Sequence, residues 1–239
     1  MIGPIIDVAD SCGRGDWRLV KAHGIQAAIL HMAWNGMKPD REYQRNCDGC
    51  RYEGIPFGSY YPSEPWVDWR KEAEFIQSIY IPGQLPLAND VERWRAITRV
   101  NQEANVINLL GGMANMSGRR PLLYTNLDYL LHKLRRLPDL KTVADLWFAN
   151  PTGTPGNPVV PEWGHPLLHQ YTWKARVPGF NADVDLSVFL GSDELWRTWV
   201  HQPTALVKFK DMSHKGQMDV VEKGLQRLGL VNRDGYPLT

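Results

Sequence analysis

The sequence predicts an α/β protein: a TIM-like closed barrel of the (β/α)5(β)3 type with a short C-terminal appendage. Short apolar runs alternate with helical periodicities from Pro4 to Thr125. Eight strand-like runs occur in all, and the last three are separated mainly by Gly/Pro-rich loops such as Thr152–Pro161. Strands alternating with helices imply a parallel sheet, and eight of them imply closure. An open doubly wound sheet is the competing architecture, but no Gly-x-Gly-x-x-Gly follows the first strand.

Pro4–Val8 reads as the first strand, Trp17–His23 as a helix, Ala27–Ala33 as the second strand and Glu42–Gly54 as a helix. Phe57–Tyr61 is the third strand. Trp69, Ala73, Ile76 and Tyr80 then fall at i, i+4, i+7 and i+11, one stripe of a helix. Leu85–Glu92 is the fourth strand, and a helix over Val100–Met116 buries Val106, Leu109, Leu110 and Met113. Pro121–Thr125 is the fifth strand, followed by a short helix over Asn126–Arg136. Leu146–Ala149, Leu167–Tyr171 and Val184–Phe189 complete the barrel.

Domain organisation follows from this pattern: residues 1–200 form the barrel and residues 201–239 an appendage. The appendage holds six Lys/Arg against four Asp/Glu and two His, and Met218–Val231 has helical spacing of Val221, Leu225 and Leu228. So short a segment does not bury a core of its own, so it is expected to pack on the barrel or on a partner.

Charge excludes several functions. Twenty-seven Lys and Arg nearly balance twenty-six Asp and Glu, so no nucleic-acid or membrane surface is expected. No stretch reaches the roughly 20 apolar residues of a membrane span. The amino terminus lacks the basic and apolar regions of a signal peptide, which implies synthesis in a cytoplasm. Three cysteines argue against a disulfide framework, and Cys47 and Cys50 fall with Tyr43 on one helix face as core residues, without a second ligand pair for zinc. No metal or organic cofactor is expected. Ten Trp and nine Tyr provide flat faces that suit sugar rings as well as cores.

The chemistry is concentrated in four acids. Asp7 ends the first strand, Asp90 and Glu92 end the fourth, and Asp185 lies on the eighth. Strand alternation places each inward, because Ile6 and Val8, Val91, and Val184 and Leu186 take the helix-facing positions. Barrel enzymes carry their chemistry at the carboxyl ends of the strands. Four carboxyls in one mouth do not all ionise comfortably, so one is expected to keep its proton while another stays charged. Glycoside hydrolysis requires such a split: a proton donor for the leaving oxygen and an anion for the anomeric carbon. A metal-binding acid cluster for phosphoryl transfer is the rival, weakened by the lack of an inward basic residue or phosphate loop. Trp94, just beyond Glu92, is placed either to wall the acid or to pack beneath the rim.

Ordered short motifs carry a resemblance over residues 4–200. They are Ile-Asp-Val at 6–8, Asp-Trp at 16–17, Gly-Ser-Tyr-Tyr at 58–61, Asp-Val-Glu-Arg-Trp at 90–94 and Leu-Tyr-Thr-Asn at 123–126. Leu-Trp-Phe-Ala at 146–149, His-Gln-Tyr-Thr at 169–172 and Val-Asp-Leu-Ser-Val-Phe at 184–189 follow. In this order the chain resembles family 25 glycoside hydrolases, the muramidase lysozymes of many phages and bacteria. The resemblance implies five β/α units followed by three strands, and cleavage of the β-1,4 bond between N-acetylmuramic acid and N-acetylglucosamine in peptidoglycan. It implies Glu92 as general acid, Asp90 as nucleophile or as orienter of the substrate acetamide, and Asp7 and Asp185 as the rest of the acidic floor. Tyr60 matches a tyrosine near the acetamido group, and Tyr124, Trp147 and Gln170 match cleft positions that contact sugar. Trp147 also suits a barrel-filling place.

Two positions depart from the family pattern. His31 stands where relatives commonly carry Arg, and Pro151 replaces an aromatic. In the appendage, Gly224-Leu225-Gln226-Arg227-Leu228 and Asp234-Gly235-Tyr236 are faintly similar to small peptidoglycan-binding repeats. The expected partner is therefore the bacterial glycan strand, reached by holin-type release of an endolysin or from within a virion, with oligomeric state open. A non-catalytic wall-binding or virion structural protein on the same barrel is the alternative, and retention of all four acids favours the enzyme.

Overall fold

The computed structural model describes residues 1–96 and 99–201. Eight strands form a closed barrel: β1 (Ile2–Val8), β2 (Ala27–His31), β3 (Phe57–Pro62), β4 (Leu87–Asp90), β5 (Leu122–Asn126), β6 (Asp145–Ala149), β7 (Leu168–Ala175) and β8 (Val184–Phe189). Each strand from β1 to β7 pairs in parallel with the next, while β8 runs antiparallel to both β7 and β1. The uniformly parallel sheet expected from the alternation is thus corrected at β8. The short connection 176–183 has no room for a crossover helix and returns the chain as a hairpin.

Five helices follow the first five strands. They are α1 (Trp17–Ala22), α2 (Tyr43–Glu53), α3 (Trp69–Ile79), α4 (Arg99–Ser117) and α5 (Leu127–His132), the last continued by α6 (Leu137–Val143). Asp16 and Asp68 cap α1 and α3 by accepting from backbone N–H groups of the first turn, an arrangement worth about 1 kcal/mol each. Gly54 ends α2 at φ 67°, the left-handed position that stops a helix without a Cβ clash. The helix expected over Asn126–Arg136 ends at His132, and a further helix, α6, with Pro138 in its first turn, follows beyond the expected range.

Alternation sorts the side chains into two layers. Ile6, Val8, Leu30, Phe57 and Leu87 point outward to α1–α3, and Leu123, Leu146 and Phe148 outward to α4–α6. Ile5, Ile29, Ala88, Leu122, Tyr124, Trp147, Leu168 and Phe189 fill the lumen. Cys47 and Cys50 are fully buried on the inner face of α2, as the helical spacing predicts.

A seventh helix, α7 (Asp193–His201), closes the end opposite the mouth. Its Trp196 and Trp199 rings lie 5.2 and 5.1 Å from Phe189. The buried Arg119 guanidinium donates to the carbonyls of Trp199 and Gln84 and ties this plug to the barrel. Sequence reading passed over α7, although Asp193 and Glu194 ahead of Trp196, Trp199 and Val200 have the charge and spacing of a helix start. The expected appendage beyond His201 lies outside the described residues, and with it the helical spacing over Met218–Val231.

Candidate active site

The carboxyl ends of β1 to β7 and the amino end of β8 share one rim. Asp7 pairs across the sheet with Asp185, so the two carboxyls meet at the β1–β8 seam. This meeting depends on the reversed direction of β8, which brings its second residue, not its last, to the mouth. Asp90 is the final residue of β4 and faces inward opposite Tyr124.

Glu92 is not in the strand. The fourth strand expected over Leu85–Glu92 stops at Asp90, because the Val91 N–H turns to the Tyr124 carbonyl (2.9 Å) and the Val91 carbonyl accepts from the Thr125 hydroxyl (2.7 Å). Val91 itself is buried against α4–α6, so Glu92 still emerges on the mouth side. Two further contacts fix it there. The Tyr129 hydroxyl donates to the Glu92 backbone carbonyl, and Asn126 Nδ2 lies 3.4 Å from Glu92 Oε1. Asn126 also caps α5 with its Oδ1, which accepts from the Tyr129 N–H (3.2 Å), so the cap turns its amide N–H2 toward the acid. The Leu-Tyr-Thr-Asn motif gave no hint of that role.

On the seam, Gln170 is the organising residue. Its Nε2 donates to both oxygens of Asp7 (3.1 Å each) and to Asp185 Oδ2 (3.3 Å), while its Oε1 accepts from the Tyr124 hydroxyl (2.8 Å) and from Trp173 Nε1 (2.7 Å). Gln170 is 1% exposed and its amide is fully engaged by protein groups. The expected sugar contact at Gln170 is therefore placed as a buried brace beneath the floor. Trp147 is likewise 1% exposed, donates to the Ser187 hydroxyl (2.9 Å) and packs edge-on against Tyr124 (4.6 Å) and Tyr60 (6.1 Å), the barrel-filling place. Tyr124 is nearly buried, whereas Tyr60 reaches the mouth.

A cavity of about 140 Å³ opens between β2 and β4, lined by His31, Trp34, Tyr60, Ser63, Asp90 and Glu92 among others. His31 is held by a 2.7 Å contact from Nδ1 to Asp40 Oδ2, which makes it a satisfied inward histidine. Trp94 packs against the α4–α6 cluster. A wider groove of about 570 Å³ between α1 and α2 lies apart from the acids and is lined by mixed surface residues such as Arg45 and Tyr52. Chemistry, not width, selects the smaller cavity.

Burial raises the pKa of every acid in the mouth. Asp7 rises well above the usual carboxylate range through burial and then the Asp185 charge, although Gln170 opposes the shift. Asp90 rises well above it through burial and then the Glu92 charge, with Arg93 opposing. Glu92 is raised by the protein packed around its carboxyl, against the hydrogen bond from Asn126. Asp185 is pushed up to about 6 by burial and by Glu92. The Asp90 Oδ1 atom is buried without a hydrogen-bond partner, which leaves a polar oxygen with its bonding capacity unspent on a residue that lines the cavity. The Asp90–Glu92 pair thus titrates as a unit with fewer charges than acids.

A family model described as glycosyl hydrolases family 25 matches residues 6–180. No curated protein sequence matches the chain. The bacterial lysozyme from Streptomyces coelicolor superposes with a TM-score of 0.75 at 19% identity, covering 84% of this chain and 97% of that one. A family 25 glycosyl hydrolase from Bacillus anthracis gives 0.72 at 19% identity, with 83% and 94% covered. A muramidase from Acremonium alcalophilum gives 0.71 at 17% identity, with 83% and 99% covered. At these identities the superpositions speak to the fold, which is the same eight-stranded barrel.

Proposed function

The chain belongs to glycosyl hydrolases family 25 and is a glycoside hydrolase, and we propose that it cleaves the β-1,4 bond between N-acetylmuramic acid and N-acetylglucosamine of bacterial peptidoglycan. The observation that carries the reading is the convergence of Asp7, Asp90, Glu92 and Asp185 on one mouth, with Asp90 Oδ1 buried and unpartnered beside the cavity.

In this reading Glu92 is the general acid. Placed at the rim and oriented by Asn126, it gives its proton to the glycosidic oxygen as the bond to the anomeric carbon breaks. Burial raises the pKa of both Asp90 and Glu92, which favours a protonated carboxyl in the pair before the bond breaks. With the proton on Glu92 and Asp90 ionised, the Asp90 carboxylate stabilises the positive charge that develops at the anomeric carbon as Glu92 hands its proton to the leaving oxygen. Asp90 then accepts from the acetamide N–H and steers the acetamide oxygen onto the anomeric carbon, with Tyr60 alongside. A carboxyl so reluctant to ionise is a better orienter than nucleophile, and substrate-assisted attack is a known variant of the two-carboxylate scheme. Asp7 and Asp185 complete the acidic floor beneath the sugar. Lysis of a bacterial host, by release as an endolysin or from a virion, is the setting proposed for this activity.

Digestion of purified peptidoglycan tests the reading, with mass spectrometry of the new reducing ends. Muramic acid ends from the wild type, absent with Glu92→Gln, are expected. Glucosamine ends would move the scissile bond, and no cleavage across several wall chemotypes would favour a glycan-binding role.

A further inference from the structure

We infer that Trp34 and Trp173 are two sugar-stacking shelves that bracket the acid floor and bind glycan rings on either side of the cleaved bond. This inference rests on reading the mouth as a glycan-cleaving site. Of the ten tryptophans in the chain, eight are buried or part-buried and two are exposed, Trp34 at 38% and Trp173 at 47%. Both exposed indoles stand at the mouth. Folding gains nothing from an indole left in water, so two at one rim ask for an occupant.

Each ring is also held still. Trp34 Nε1 donates to Asp10 Oδ1 (3.0 Å), and its ring packs edge-on to His31 at 4.3 Å, itself locked by Asp40. Trp173 Nε1 donates to the Oε1 of Gln170, the amide that braces Asp7 and Asp185. In both cases the polar edge is satisfied inside the protein and the apolar remainder is left at the solvent. That is the orientation a pyranose face needs, and the rotamer entropy of binding is spent during folding.

Position gives the ligand its size. Trp34 sits in the hairpin after β2 and lines the same cavity as Asp90 and Glu92. Trp173 rises from the part of β7 that extends past the barrel. Between them run β1 and β8 with Asp7 and Asp185. Two shelves separated by two strands span more than one sugar ring, so the ligand class is a β-1,4-linked glycan of several residues.

The reach of Trp173 depends on the first of two irregularities in the β7–β8 pairing. Ser187 pairs with Gln170 but Leu186 pairs with Thr172, so Tyr171 is an extra residue and β7 bulges there. Regular alternation would put residues three apart on opposite faces; the bulge puts Gln170 and Trp173 on one face, where their side chains bond.

The test is calorimetric binding of the tetrasaccharide of two GlcNAc-MurNAc repeats to the full chain carrying Glu92→Gln, compared with the same chain carrying in addition Trp34→Ala, Trp34→Phe, Trp173→Ala or Trp173→Phe. Each Ala change is expected to weaken binding about tenfold, and each Phe change, which keeps a ring and loses the N–H, by less than about threefold. In the otherwise wild-type chain, each Ala change should raise KM on soluble glycan polymer while kcat holds. Equal binding by Ala variants and parent overturns the shelves, as does a Phe variant as weak as its Ala counterpart, or a parent that does not bind. Cleavage by the wild type with unchanged KM in the Ala variants defeats this inference alone; tight, ring-dependent binding without any cleavage defeats the enzymatic reading alone.

Discussion

The two halves of the mouth hold their acids in opposite ways. At the β1–β8 seam, Asp7 and Asp185 are bonded to Gln170, which is bonded in turn to Tyr124 and Trp173. At the end of β4, Asp90 keeps a buried oxygen without a partner and Glu92 stands free of the strand, its carboxyl touched by one long contact from Asn126. A satisfied carboxyl is fixed in place and stabilises; an unsatisfied one costs stability and is available to a ligand. The contrast separates scaffold from reagent within a single cluster of like groups.

The largest effect that sharpens this contrast is Glu92→Gln, which is expected to lower kcat by about 10²–10⁴-fold with the melting temperature unchanged. Asp90→Asn comes next, with a loss of about 10²–10³-fold, and it carries an opposite sign in stability. The folded pKa of Asp90 is raised above its unfolded value, so the folded state binds the proton more tightly and stability falls as pH rises through that value. Thermal melts from acid to neutral pH should therefore show Asp90→Asn gaining on the wild type as pH rises. An Asp90→Asn chain less stable than the wild type at neutral pH would break the comparison.

Gln170→Ala should do the reverse of Asp90→Asn. Stripping the seam of its brace leaves two carboxyls, a hydroxyl and an indole N–H to find new partners, at a cost of about 1–3 kcal/mol in urea unfolding. Activity should fall less than in Asp90→Asn, with its pH profile displaced upward, because the Gln170 hydrogen bonds oppose the rise in the Asp7 pKa. A profile that stays in place would mean the brace acts only on folding.

The smallest expected effect lies behind the mouth. Glu72 on α3 is buried, accepts from the Glu64 N–H (2.8 Å) and has its pKa pushed up to about 8 by burial. Its contribution to stability is complete below the ordinary Glu value and is lost as pH rises toward 8. Glu72→Gln keeps the acceptor and removes the titration, so melting temperature should become flatter between about pH 5 and 8, with activity unaltered. The same slope in both chains would assign the pH dependence to the mouth.

Much of this was legible before any coordinates, for reasons that differ by residue. The eight strands and the inward set of Asp7, Asp90 and Asp185 follow from period-two alternation, a local property: Ile6, Val8, Val184 and Leu186 do face the helices. Glu92 reached the right side for a different cause, since the strand stops before it and the loop returns it. What stayed hidden is non-local. Nothing near Gln170 in sequence says that Asp7, 163 positions earlier, occupies its amide, and nothing near Trp147 decides between cleft and lumen. Trp34 and Trp173 carry no local sign of their role, because a tryptophan's exposure depends on neighbours brought by the fold. The reversal of β8 was readable in the short 176–183 connection, and α7 in its own periodicity.

The bulge at Tyr171 makes the count of residues in β7 a switch of parity. Barrel closure depends on which residues of β7 and β8 pair, and that pairing is regular from Leu168 to Gln170, on the barrel side of the bulge. The mouth depends on whether the number of positions between Gln170 and Trp173 is odd or even. A deletion of one residue there would leave the cylinder shut and the brace in place, and would send the indole to the helix side. Substrate reach and fold are thus written in separate variables of one strand, so evolution by single-residue insertion is able to lengthen or shorten the reach while the barrel stays as it is.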